Sequence, residues 1–468
     1  MKIINTPTVV LAFTIAFQTV LFAQSNPASR PNILFIMGED ASAADFGIYG
    51  GQAMTPVFDA LAKDGILFTH AFAASPQCSP TKFSMLTGKM PWQAGSPVVD
   101  HRIRFASSFV TYPDALEKAG YIIGKNGKGG WKRTYNKNPG PRGRNPAGEH
   151  FSSFDAFLER TPKKQPFCFW GTGITGTAHR PFKSKGNSIP KDRITLPPYF
   201  HDSVEIRSDI KGYLKAVNAF DADMDRYLKI LKKHGRYDNT MIIAMPGDHG
   251  WPFPRGKCNL YDTGTRIPLA IYWKGKIGPG RVCGDLVSAC DVYATVIDAA
   301  GLPIPEGVAG KSLLPLILSE RNSAESPREA VVMARGYHEV YYPSRAVRTK
   351  THLYIRNYRP ELFPQGFHFN DGVGADAPIR RYILRHREKA EVQPCFALSF
   401  GRRPAEELYE LASDPWQTNN LATMEEHQPA KERLSSVLAA FQEQFADPIL
   451  EHHGIVSEDI VNSHRMQE

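Results

Sequence analysis

The chain has 468 residues, 42% of them apolar and 22% charged, with a formal net charge of +9. That composition excludes a disordered, collagenous or coiled-coil chain and leaves room for a large core in two or three domains. The cationic surplus favours an anionic partner, but Lys and Arg are scattered rather than gathered in dense runs, which speaks against nucleic acid.

In chain order, Lys2 is followed by an apolar stretch from Val9 to Ala23, broken by Thr14, Gln18 and Thr19. It reads as a secretory signal peptide over residues 1–23, so the expected location is periplasmic or secreted. No other segment is long and apolar enough for a membrane span, and none is expected in the mature chain. Asn32–Met37, Pro166–Trp170 and Met241–Met245 are unbroken apolar runs. Such runs predict central strands of a sheet covered on both faces. Thr55-Pro56 predicts a helix start that Gly65 closes. From Ser208 to His234, apolar residues recur every three or four positions, which predicts a long amphipathic helix stopped by Gly235. Strands alternating with helices give an α/β fold with a large, mostly parallel central sheet flanked by helices. Residues 129–150 read as a surface loop, and 357–405 lack a regular rhythm. Glu407–Leu411 predicts a strand and residues 424–446 a terminal helix. The expected division is a catalytic domain over 24–370 and a smaller α+β subdomain over 371–468. Of the six cysteines, Cys283 and Cys290 are close enough in sequence to pair, and spacing alone leaves that open.

Two predicted strands end in polar clusters: Gly38-Glu39-Asp40 and Gly247-Asp248-His249-Gly250. In open α/β sheets ligands bind beyond the C-terminal strand ends. Oxygen and nitrogen donors meeting there suit a hard divalent cation, although acidic residues also serve as plain helix caps. Cys78 precedes Pro80 and a short apolar run closed by Gly88, which predicts a helix N-terminus, a place that favours anions. A lone cysteine is otherwise more often buried and inert.

Together these pieces stand in a familiar order. Pro31–Met37 with Glu39-Asp40, Tyr49-Gly50-Gly51, Cys78-Ser79-Pro80-Thr81-Lys82 and Leu86-Thr87-Gly88 are followed by Gly127-Lys128, His179-Arg180-Pro181, Asp248-His249-Gly250 and Leu408-Tyr409-Glu410-Leu411. The series resembles the formylglycine-dependent sulfatase family over nearly the whole mature chain. Trp251-Pro252-Phe253-Pro254, Asn259–Asp262 and His338-Glu339-Val340 most resemble the heparan N-sulfatase subgroup.

The resemblance implies an alkaline-phosphatase-like fold and an exported sulfatase that releases sulfate from a sulfated polysaccharide or oligosaccharide, of ulvan or heparan type. It implies that a formylglycine-generating enzyme oxidises Cys78 to formylglycine, whose hydrate is the nucleophile. Glu39, Asp40, Asp248 and His249, with the modified Cys78, are implied to hold one calcium ion. Lys82 is implied to sit beside the hydrate, Lys128 and Lys257 to hold the sulfate, and His179 to protonate the leaving group. Arg180, His338 and Arg345 are expected to face the anionic glycan, and Trp251 either stacks on a sugar or belongs to the core. The chain departs from the family pattern in three places. Lys82 stands where Arg is usual, Glu39 where Asp is usual, and Gly130 where a histidine is usual. Two rival readings stay open here. One is a phosphatase or phosphodiesterase of the same wider fold, against which Cys78 and Pro80 argue. The other is a sulfatase-like glycan-binding protein without catalysis, which Lys82 and Gly130 keep open.

Overall fold

The computed structural model describes residues 30–127 except 97, 101–102 and 104–107, then 144–173, 189–319, and 328–456 except 367, 370–371, 373 and 375–376. Among these, eight strands form the main sheet: β1 (Asn32–Met37), β2 (Ile66–Phe72), β3 (Ile122–Lys125), β4 (Glu149–His150), β5 (Phe167–Thr172), β6 (Thr240–Met245), β7 (Leu269–Trp273) and β8 (Arg281–Ser288). Their spatial order is β4-β3-β5-β1-β6-β7-β2-β8, with β7 antiparallel to both neighbours and the other pairings parallel. The sheet is therefore mixed and mostly parallel, as the apolar runs predict.

The helices of seven residues or more are α1 (Pro56–Asp64), α2 (Cys78–Thr87), α3 (Tyr112–Lys118), α4 (Phe154–Arg160), α5 (Val204–Lys233), α6 (Asp291–Ala299), α7 (Pro378–Arg385), α8 (Gln393–Phe400) and α9 (Gln428–Gln444). Alternate residues of β1 feed two cores. Leu34 and Ile36 pack with Phe58 and Leu61 of α1 and with Tyr213, Val217 and Phe220 of α5. Ile33, Phe35 and Met37 pack with Met85 and Leu86 of α2, Leu116 of α3 and Val296 of α6. Both faces are covered, so the strand has no polar side and no alternation to show.

Helix α5 starts earlier than the periodicity predicts. Ser203 caps it, its hydroxyl accepting from the Ile206 N–H at 3.2 Å. At α1 Pro56 does occupy the first turn, but the Thr55 hydroxyl is turned to Asp59 and to the Gly47 N–H instead of capping.

A second, antiparallel sheet holds β9 (Val331–Tyr337), β10 (Tyr341–Arg348), β11 (His352–Asn357) and β12 (Glu406–Glu410), in the order β12-β11-β10-β9. Three of its strands precede residue 371. Helices α7 and α8 lie inside the stretch that showed no rhythm in the sequence. Edge strand β9 docks on the main domain. The Ala334 N–H donates to Ala74 O at 2.9 Å and the Tyr337 N–H to Val99 O at 2.6 Å. All six cysteines are free thiols, so Cys283 and Cys290 are not paired. No helix among the described residues is long and apolar enough to cross a membrane.

Candidate active site

Strands β1, β5 and β6 end level with one another, since Met37 stands beside Thr172 on one side and Met245 on the other. The turns after β1 and β6 then cross at very close range. A Cβ on Gly38 would lie 2.2 Å from Pro246 O, and one on Gly247 2.0 Å from Ala41 O. Only glycine permits this approach. It brings the Asp40 N–H within 3.1 Å of Asp248 Oδ1. Asp40 itself sits in the left-handed region at φ 56°, a conformation uncommon outside glycine and typical of functional sites.

Cys78 is the first residue of α2 and the half-exposed member of an otherwise buried group. The residue before it, Gln77, is anchored by its side-chain amide, which donates to Tyr337 O at 3.1 Å. Cys78 Sγ lies 3.2 Å from His249 Nε2 and 3.4 Å from Lys257 Nζ. His249 Nε2 is 3.1 Å from Asp40 Oδ1, and Lys257 Nζ is 2.8 Å from the same oxygen. On the far side of Asp248, Lys82 Nζ stands 3.1 Å from Oδ2 and 2.5 Å from Glu39 Oε1.

Burial opposes the charges of Lys82 and Lys257. Glu39 and Asp248 around Lys82, and Asp40 and Cys78 around Lys257, outweigh it and hold both ammonium groups protonated. Burial likewise works against charge on His249, but Asp248, Cys78 and Asp40 raise its pKa well above the usual histidine value. Asp248 moves the other way. Burial raises it, Lys82 and His249 pull harder, and it stays ionised.

One ligand atom each from Asp40, Cys78, Asp248 and His249 lie within 4.8 Å of one another, the arrangement a single cation needs. Asp248 Oδ2 is buried, and its approach to Lys82 lacks hydrogen-bond geometry, so a lone pair remains for a ligand. With oxygen in place of sulfur at residue 78, three oxygen donors and one imidazole would fit calcium, with water or substrate oxygens completing the shell. Glu39 lies beside this group, with its Oε1 accepting from Lys82 Nζ.

Lys257 is delivered by a loop under conformational constraint. Arg255 and Cys258 on either side of it both have positive φ, 67° and 63°. The Lys257 N–H donates to Trp251 O and the Cys258 N–H to Pro76 O, each at 2.8 Å. Arg255 is buried. Its guanidinium donates to the carbonyls of Leu398 and Gln417 and lies 3.8 Å over the Tyr261 ring. The sequence gives no sign of this clamp. Its acceptors are carbonyls from a distant segment, and a carbonyl has no residue type to read. The Glu39–Lys82 pair escapes for a similar reason, since the two residues are 43 positions apart.

The other expected residues divide. Lys128, His179 and Arg180 lie outside the described residues. The chain leading to Lys128 is pinned at the sheet edge: the Asn126 N–H donates to Trp170 O, and its side-chain Oδ1 accepts from the Tyr227 hydroxyl at 2.7 Å. His338 is half-buried and follows Tyr337, whose carbonyl holds Gln77, so it stands next to the start of α2. Arg345 corrects an expectation. It is buried, its fork is given to Asp447 at 2.6 and 2.8 Å, and Nη1 donates to the Arg335 carbonyl. It is a strut between β10 and the C-terminal segment, not a contact for substrate. Trp251 is core, packed against Phe200, Tyr213 and Phe253.

The Sulfatase family pattern matches residues 31–163 and 145–302, and the pattern for the N-sulphoglucosamine sulphohydrolase C-terminal region matches 247–364. The chain is 28% identical to an ulvan-active sulfatase of Formosa agariphila, over 93% of this chain and 84% of that protein. It is also 28% identical to human N-sulphoglucosamine sulphohydrolase, over 90% of this chain and 91% of that one. Among solved structures, a protein in complex with its substrate D-glucosamine-2-N,6-O-disulfate superposes with a TM-score of 0.65. It is 19% identical and matches 89% of this chain and 98% of its own, a likeness of fold.

Proposed function

The chain belongs to the sulfatase family and is a sulfuric ester hydrolase, and on that premise we propose an exported enzyme that removes sulfate from a sulfated glycan with residue 78 as nucleophile. What carries the proposal is the meeting of Cys78 Sγ with Lys257 Nζ, His249 Nε2 and the Asp40–Asp248 carboxylates at one sheet edge. Relatives that act on ulvan and on N-sulphoglucosamine support a glycan substrate. Cys78 would be converted to formylglycine by a dedicated oxidising enzyme. As the hydrate it would offer two hydroxyls on one carbon, one to attack sulfur and one whose deprotonation then expels sulfate. Asp40, Asp248, His249 and residue 78 would hold a calcium ion, which would supply charge neutralisation at the sulfate.

The remaining work falls to side chains. Lys257, 3.4 Å from the reacting position, places a fixed positive charge where the sulfate oxygens must sit. Lys82 stands one turn along α2 from residue 78, near enough for Cys78, against burial and after Glu39 and Asp248, to help raise its pKa. Its hydrogen bond to Glu39 and its ion pair with Asp248 hold Asp248 in place and would fill the role of the more usual arginine through a longer acid partner. We assign sulfate binding also to Lys128 and proton donation to the departing sugar oxygen or nitrogen to His179. Histidine suits that step because its ordinary pKa is about 6.5.

The test is mass spectrometry of the tryptic peptide containing residue 78, from protein made in its native host, alongside sulfate release from a panel of sulfated oligosaccharides. An aldehyde in place of the thiol, with sulfate released, is expected. Thiol alone, with no release from any member of the panel, would sink the proposal.

A further inference from the structure

The backbone around Lys257 is tied toward the nucleophile. The Cys258 N–H donates to the carbonyl of Pro76, two residues before Cys78, at 2.8 Å. Within the loop the Lys257 N–H donates to Trp251 O at 2.8 Å, and Asn259 Nδ2 donates to Lys257 O at 3.1 Å. Both peptide groups that flank the Lys257 Cα are therefore engaged. A lysine ammonium rides on a flexible four-carbon stem, so the place it reaches depends on where this backbone is fixed.

On the other side stands Arg255. It holds a left-handed backbone, φ 67°, which is uncommon for a residue with a Cβ and which glycine would take without strain. What glycine lacks is the guanidinium. Nη1 donates to Leu398 O in α8 at 3.2 Å, and Nη2 donates to Gln417 O. The Arg255 carbonyl in turn accepts from the Thr263 hydroxyl at 2.8 Å. The Tyr261 ring against the guanidinium is anchored in the second sheet, because its hydroxyl donates to Glu407 Oε2 in β12 at 2.6 Å.

Gln417 completes the brace. It is buried and also left-handed, at φ 51°. Its side-chain Oε1 accepts from the Asp262 N–H at 3.0 Å, and its Nε2 donates to Pro415 O at 2.6 Å. One residue of the C-terminal segment thus grips the Lys257 loop twice, at Arg255 before the lysine and at Asp262 after it. Arg255 and Gln417, both left-handed and neither a glycine, meet across a single hydrogen bond. Such conformations persist only where the surroundings over-determine them, and they gather at functional sites.

We propose that Arg255 and Gln417 are positioning residues for Lys257. Through them the segment from Leu398 to Gln417 fixes the loop so that Lys257 Nζ, 2.8 Å from Asp40 Oδ1 and 3.4 Å from Cys78 Sγ, faces the sulfate held at residue 78. Neither residue touches the reacting atoms; each acts through the lysine.

The inference rests on the proposed sulfatase reading, and the experiment separates the two. Arg255→Met is made in wild type and in Lys257→Met, and kcat/KM per folded molecule is read on the sulfated oligosaccharide best used by wild type. Arg255→Met should lose about 30-fold and Lys257→Met about 300-fold, and the double variant should lose no more than Lys257→Met alone. A full product of the two losses, about 10⁴-fold, would overturn the proposal, and so would unchanged kinetics in Arg255→Met. Gln417→Gly is the milder probe, since it accepts the left-handed backbone, keeps the carbonyl that Arg255 uses and drops the hold on Asp262. It should lose about fivefold in wild type and nothing in Lys257→Met; equal losses in both backgrounds would reject its role. Hydrogen exchange over residues 251–259, read by mass spectrometry, needs no turnover. Exchange at the Lys257 and Cys258 amides should quicken in Arg255→Met. Unchanged exchange would reject the brace even if wild type released no sulfate, a result that would sink the function separately.

Discussion

The end of the main sheet and the second sheet both bury ionised side chains, and they use them in opposite ways. At the end of the main sheet, Lys82, Lys257 and His249 are set around Asp40 and Asp248, and the cluster opens onto half-exposed Cys78. In the second sheet, Arg345 is closed on Asp447 and Arg348 on Asp262 at 2.9 Å, with no reactive group among them. The first arrangement keeps charges available to a ligand, and the second uses them as rivets. What separates a site from a strut is the open position beside the pair, since a buried pair is in itself weak evidence for either stability or function.

The largest effect expected from this contrast is on turnover. Cys78→Ala should abolish sulfate release, a loss on the order of 10⁴-fold or more, while leaving the chain folded. A melting temperature close to that of wild type with no measurable turnover would support the assignment. A large loss of melting temperature would make Cys78 a packing residue.

Breaking a rivet should do the reverse. Arg345→Met leaves Asp447 buried and unpaired, and should cost about 3–5 kcal/mol in urea unfolding, with kcat per folded molecule unchanged. Lys82→Met removes the ammonium between Glu39 and Asp248 and should lose both stability and turnover. If the two variants behaved alike, with stability lost and kcat intact in each, Lys82 would be a rivet too.

Asp45 lies behind the site, five residues beyond Asp40, and gives the contrast a pH axis. Burial pushes its carboxyl up to about 7, although the Tyr213 hydroxyl donates to it at 2.6 Å and works the other way. The folded chain therefore keeps a proton that the unfolded chain releases near pH 4. Its contribution to stability is fully present below about pH 4, shrinks as pH rises, and is gone above about pH 7. Three units correspond to at most ~4 kcal/mol. Asp45→Asn should flatten that decline. Equal slopes for wild type and variant between pH 4.5 and 7.5, by denaturant unfolding, would show that Asp45 ionises freely in the fold.

The same two regions differ in how far they could be read from the sequence. Strands β1, β5 and β6 are apolar runs, and their ends carry Asp40 and Asp248-His249, so parallel pairing alone brings those residues together. Cys78 at the start of α2 follows from Pro80 and Gly88. In the second sheet only β12 is foretold, by the run Glu407–Leu411. Arg335, Arg345 and Arg348 are buried in β9 and β10, where alternation would place apolar residues, and their partners are a carbonyl or an acid far along the chain. The periodicity does not reach the first turn of α5, because exposed Val204 and the cap Ser203 precede the regular apolar stripe. The hydrogen bond from Lys82 to Glu39 Oε1 is visible only in three dimensions, because nothing in the sequence links two residues 43 positions apart.

The smallest expected effect bears on the open position itself. As encoded, the donors that converge are sulfur, one imidazole nitrogen and two carboxylates, a set that zinc takes readily. Oxidation of Cys78 replaces the sulfur by oxygen and leaves one nitrogen among oxygens, which favours calcium. Protein carrying the thiol and protein carrying the aldehyde should therefore differ in metal preference. A shift of about tenfold toward calcium in relative affinity, or ~1.4 kcal/mol, is expected on conversion. Competition calorimetry with both ions reads this without any substrate, and elemental analysis of the purified forms gives an independent check. The struts of the second sheet predict no such dependence, because Arg345 and Asp447 leave no position for an ion. Identical preference in the two forms would remove residue 78 from the ligand set, and the site would then be a three-residue metal centre with the nucleophile beside it rather than in it.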